Sequence, residues 1–115
     1  MSNDRLNIKE GTTSDISMQL LADGNPIDLT VAASVQVTML DALRKVYHYS
    51  TTDVSPAVII TVPVSGTITF TPPDQTVFRA KNSPYKVVVW VYASNGKKYA
   101  CPEQDADLIF VQPAY

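Results

Sequence analysis

With 115 residues the chain has the length of one domain, enough to bury a hydrophobic core without disulfide or metal staples. Nine Lys and Arg against eleven Asp and Glu leave a formal charge of −2, which speaks against nucleic acid as the main partner because phosphate neutralisation needs a concentrated basic face. A single cysteine excludes an intrachain disulfide, and the longest apolar run, residues 87–93, falls far short of the roughly 20 residues of a membrane helix.

Residues 1–20 scatter Asp, Arg, Lys and Glu with no apolar h-region, so no secretory signal is expected and the protein is read as soluble and made in a cytoplasm. Val, Ile and Thr are abundant, and short apolar runs between turn signals are the pattern of an all-β sandwich or barrel. A first strand is expected at RLNIKE, ended by Gly11, and DISMQLL follows with Ile16, Met18 and Leu20 on one face. In LLADGNPIDLT, residues 20–30, Gly24 and Asn25 are the tolerant turn positions and Pro26 pre-sets φ for the exit. Asp23 and Asp28 are expected to accept local backbone N–H bonds, and Ile27 and Leu29 to return side chains to the core.

ASVQVTML then places Val35, Val37 and Met39 on one face, DALR turns the chain into KVYHYS, and SPAVIITV forms the next run. TITFT sets Ile68 and Phe70 together, and Pro72 and Pro73 close it because proline cannot donate to a ladder. DQTVFRAK is given one short helical turn at most. PYKVVVWVYA is the longest strand, and Asn95-Gly96 after it signals a two-residue hairpin. KKYAC returns, and ADLIFVQ ends the domain before Pro113. Residues 1–115 thus read as a single domain, an antiparallel two-sheet β-sandwich of about seven to eight strands.

No residue set carries catalysis. His48 is the sole histidine, and nothing around it resembles a nucleophile elbow, so a triad has no base to build on. Cys101, between Ala100 and Pro102, lacks the basic or helix-start context that lowers a thiol pKa and is read as buried and inert. Glu103, Asp105 and Asp107, and separately Asp23, Asn25 and Asp28, miss the EF-hand spacing and read as solvated acidic turns. The glycines at 11, 24, 66 and 96 are isolated, so there is no phosphate-cradling loop or dinucleotide fingerprint. No cofactor and no metal are expected.

Two strands carry more apolar surface than one core needs. In residues 85–93, Tyr85, Val87, Val89 and Val91 alternate with Lys86, Val88, Trp90 and Tyr92, and in residues 107–111 Leu108 and Phe110 oppose Ile109 and Val111. A sheet with one wet face alternates more cleanly. The second face is therefore covered by loops, partly exposed, or buried against another protein. Val88, Trp90 and Tyr92, together with Ile109 and Val111, are the residues assigned to such an interface.

The order of features adds a resemblance. Gly11, Thr12, Thr13, the corner Asp23-Gly24 with Pro26, Asp28, Leu29 and Thr30, and the later VSGTITFTPPDQT and SPYKVVVWV match successive elements of one pattern. This stretch resembles the N-terminal domain of phage baseplate upper proteins from tailed phages of Gram-positive bacteria, and departs from it at Val31, where that pattern has glycine. The resemblance implies an immunoglobulin-like sandwich and a non-enzymatic structural role in the virion tail or baseplate, assembled in the host cytoplasm. Its implied partners are other tail and baseplate proteins, including a receptor-binding protein, and copies of itself. The alternative is a carbohydrate-binding module for host cell-wall glycans, with Tyr47, Tyr49, Trp90 and Tyr92 as the stacking residues.

Overall fold

The computed structural model describes residues 5–22, 24–101 and 107–113, so the expectations placed on Asp23, Glu103 and Asp105 lie outside the described residues. In chain order the strands are β1 (Arg5–Lys9), β2 (Ile16–Gln19), β3 (Leu21–Ala22), β4 (Asn25–Pro26), β5 (Ala32–Leu40), β6 (Val46–Ser50), β7 (Val58–Val62), β8 (Thr67–Phe70), β9 (Tyr85–Ala93), β10 (Lys98–Cys101) and β11 (Asp107–Gln112). Short 3-10 turns lie at Pro63–Ser65 and Ala80–Asn82.

The alternation of apolar residues decides which sheet each strand joins and which side it buries. Six strands form one sheet, ordered β1-β11-β9-β5-β6 with β10 also paired to β9, and three form the other, ordered β2-β8-β7. Val35, Val37 and Met39 of β5 and Tyr85, Val87, Val89 and Val91 of β9 are buried with Val58 of β7 and Ile68 and Phe70 of β8 in one cluster. Period-2 alternation gives each of these strands a dry side and a wet side. The protein is an all-β sandwich. Its two strand sets are those of the immunoglobulin arrangement, with β2, β8 and β7 on one side and β10/β11, β9, β5 and β6 on the other.

β9 organises the larger sheet. One of its edges takes β5 along nearly the whole length, while the other is shared, β11 pairing at Tyr85–Val87 and β10 at Val89–Tyr92. Those two segments lie along the same side of β9. With them merged and the two-residue β3–β4 ladder set aside, eight strands remain, within the expected range. One pairing departs from the antiparallel expectation, since β1 runs parallel to β11. These strands lie at opposite ends of the chain, so no tight hairpin dictates their relative direction.

Tyr85 fixes the start of β9. It is fully buried, its hydroxyl donates to the Val77 carbonyl at 2.8 Å, and it accepts the Arg79 N–H at 3.0 Å. This is the tyrosine corner of immunoglobulin-like domains. It holds Val77 and Phe78 in the core, where Phe78 meets Phe70 and Tyr85 edge-on at centroid separations of 6.2 and 5.2 Å. The DQTVFRAK segment therefore contributes two core residues as well as a short 3-10 turn at its end. At the neighbouring turn, buried Asp41 accepts the N–H groups of Leu43 and Lys45 on Oδ1 and the Tyr47 hydroxyl on Oδ2, all at 2.9 Å. Burial first, and the hydrogen bond to Asp41 second, push the Tyr47 hydroxyl well above its ordinary pKa.

Candidate interaction surface

Directly opposed residues share a face of the sheet, so register defines what the larger sheet presents outward. Lys86, Val88, Trp90 and Tyr92 of β9 stand opposite Leu40, Thr38, Gln36 and Ser34 of β5. Thr38 and Gln36 stand in turn opposite His48 and Ser50 of β6. On the other edge, Lys98 and Ala100 flank Tyr92 and Trp90, and Leu108 flanks Lys86.

A connected side-chain network lies on this face. The Lys98 ammonium sits 4.3 Å from the Trp90 ring centroid and 5.4 Å from that of Tyr92, a geometry in which the ring quadrupoles attract the cation. The Tyr92 hydroxyl donates to Gln36 Oε1 at 3.1 Å. That fixes the Gln36 amide, whose Nε2 lies 3.2 Å from His48 Nδ1, with Thr38 Oγ1 3.4 Å from the same nitrogen. Val88, Trp90 and Tyr92 are each half-buried, so their cover comes from sheet neighbours and stays partial.

The sequence-assigned interface is brought together in part. Val88, Trp90 and Tyr92 do share the outer face, whereas Ile109 and Val111 belong to the core, at 4% and 6% exposure. Ile109 pairs with Tyr85, so parity carries it and Val111 inward and puts Leu108 and Phe110 outward. The outward apolar row is thus Val88, Trp90, Tyr92, Leu108 and Phe110.

The aromatic platform of the glycan alternative is likewise divided. Tyr47 and Tyr49 pair with Met39 and Val37, the inward residues of β5, and pack 5.8 Å from Tyr85 and 5.0 Å from Phe70. Burial raises the Tyr49 hydroxyl pKa as well. Only Trp90 and Tyr92 of the four face outward, and the Lys98 ammonium lies over both rings.

Lys98 and Gln36 went unassigned from sequence, and the hairpin explains the first. A two-residue Asn95-Gly96 loop would set Tyr99 opposite Tyr92. Instead Ala93 donates to the Lys97 carbonyl at 2.8 Å and Gly96 to the Ala93 carbonyl at 3.0 Å, a three-residue loop with Gly96 at φ 88°. A type I′ loop needs positive φ at both central residues, and among the described non-glycine residues only Arg44 has it. The longer loop slips the register by one residue and brings Lys98 to the outer face.

The remaining candidates behave as turn and core residues. Asp28 Oδ1 accepts the Thr30 N–H at 2.9 Å and its hydroxyl at 2.7 Å, and these bonds hold its carboxyl below the usual range. Cys101 is buried. His48 Nδ1 lies within hydrogen-bond distance of Gln36 and Thr38. Among the described residues, no three His, Cys, Asp or Glu side chains converge to hold a metal ion.

No family model and no curated protein matches the sequence. Among solved structures, the chain is similar to CopC from Methylosinus trichosporium OB3b, with a TM-score of 0.55 and 12% identity over 97% of this chain and 87% of that one. At that identity the likeness speaks for the sandwich fold alone.

Proposed function

We propose that this chain is a non-enzymatic structural module of a phage tail or baseplate, an adaptor joining other tail proteins near the receptor-binding apparatus. The observation that carries the reading is the half-covered row of Val88, Trp90, Tyr92, Leu108 and Phe110 on the outer face of the six-stranded sheet. An apolar row ringed by polar residues is the make-up of a protein-binding patch. Ladder hydrogen bonds hold the backbone beneath these side chains in place before any partner arrives, which keeps the backbone ordering cost of association low. The likeness in sequence of the corner at residues 23–30 to baseplate upper proteins supplies the kind of assembly. Negative-stain microscopy of virions with a labelled antibody tests it: label is expected at the tail tip, and label absent from the tip overturns the reading.

The carbohydrate-binding reading retains one favouring observation, the side-by-side placement of Trp90 and Tyr92. A sugar stacking there must first displace the Lys98 ammonium. Glycan-array binding that disappears in Trp90→Ala would favour it over the adaptor role.

A further inference from the structure

We propose that the outer face of the six-stranded sheet docks an acidic protein surface belonging to a different chain, an inference that rests on the adaptor reading and names the chemistry of its partner. Charge placement carries it. The whole chain has a net charge of −2, yet Lys9, Lys86 and Lys98 are all exposed on this one face. Among the described residues, the outward register positions of β5, β6, β9, β10 and β11 hold no carboxylate: they are Ser34, Gln36, Thr38 and Leu40, then Val46, His48 and Ser50, with Val88, Trp90, Tyr92, Ala100, Leu108, Phe110 and Gln112 beside the lysines. Glu10, Asp15, Asp28, Asp53 and Asp74 lie in the connections between strands, Asp41 is buried, and Asp107 is in register with inward Val87.

Lys86 stands directly opposite Leu108 and next to Val88 on the same face, the Lys98 ammonium lies over Trp90 and Tyr92, and Lys9 flanks Gln112 beyond Phe110, so positive charge is interleaved with the apolar row. Lys98 is held in advance, because its ammonium rests over Trp90 and Tyr92. A partner with Asp and Glu among its apolar contacts meets opposite charge along the row. A second copy docking face to face meets its own lysines, since a two-fold contact sets the same patch on both sides. A nucleic-acid strand would need the Trp90 ring for base stacking, and the ammonium already lies over it.

The test is a titration of the full 15N-labelled chain with a peptide of alternating Glu and Leu, with the Lys-and-Leu counterpart and oligothymidylate as parallel arms. The acidic peptide is expected to shift amides of β5, β9 and β10 selectively, with affinity falling about tenfold or more as salt rises from roughly 0.05 to 0.5 M. In K9E/K86E/K98E the response should vanish, and in K9Q/K86Q/K98Q it should weaken by an intermediate amount. Amide dispersion checks that each variant is folded. Overturning results are no shift on this face, an equal response to the basic peptide or to oligothymidylate, or self-association in place of peptide binding. Tail-tip label with no peptide response sinks this inference alone. A selective peptide response with no tail-tip label sinks the adaptor reading and leaves the acidic-surface site standing.

Discussion

At Gly66 the absence of a side chain decides whether two connections can meet. Its φ is 70°, and a Cβ there would fall 2.6 Å from the Ile27 carbonyl oxygen and 2.8 Å from that of Leu20. Both obstacles are backbone, so no rotamer change relieves them. Gly24 also has positive φ, at 80°, but nothing lies within 4 Å of its would-be Cβ. Gly66→Ala is therefore expected to cost about 3 kcal/mol, strain plus overpacking, against about 1 kcal/mol for Gly24→Ala. Urea denaturation of the two variants measures the difference, and equal losses would contradict the close approach. The role of Asp28 was readable in the sequence, because an Asx residue two positions before Thr30 has a local use for its carboxylate. The contact at Gly66 was not, because it joins residues distant in sequence. Lys98 shows the same limit: only the Gly96 conformation, which selects a three-residue loop, decides which side chain flanks Tyr92.

Within elements, strands with one apolar side were legible and strands with two were not. Val35, Val37 and Met39 alternate with polar residues in β5, and all three are buried as their pattern predicts. Trp90 and Tyr92 were placed outward correctly because Lys86 marks their side of β9. β11 has no such mark, since Leu108, Ile109, Phe110 and Val111 are all apolar and either parity fits. Pairing with β9 resolves it, and a slip of one residue would exchange the two faces. Ile109→Ala is thus expected to cost about 2–4 kcal/mol as a core truncation, and Leu108→Ala less than about 1 kcal/mol. Thermal unfolding of the pair checks the assignment, and the reverse order of stability would overturn it. Tyr85 was legible as the leader of its strand, but its bonds to Val77 and Arg79 were not, because they depend on how the intervening segment folds back.

Over the whole molecule the two sheets present unlike outer faces. The smaller sheet shows Ser17, Gln19, Thr67 and Thr69 beside the half-exposed Ile59 and Val62, with the Thr69 and Thr61 hydroxyls 3.3 Å apart. The larger shows the apolar row and its lysines. Between them, the raised hydroxyl pKa values of Tyr47 and Tyr49 make stability depend on alkaline pH. The folded state holds these protons more tightly than the unfolded state, whose tyrosines titrate near pH 10, so this stability is complete below about pH 10 and falls as pH rises beyond it. Tyrosinate absorbance from these two residues is expected to appear together with the loss of near-ultraviolet circular dichroism. Earlier, reversible ionisation in the folded protein would contradict their burial. Under the proposed adaptor role, the larger sheet's outer face is the working surface. A photo-crosslinking residue placed at Thr38 on that face, or at Thr69 on the opposite one, tests it in virions assembled with the full set of tail proteins. A covalent product with another tail protein is expected from position 38 and none from position 69. A product from position 69 alone, or none from position 38, would contradict it.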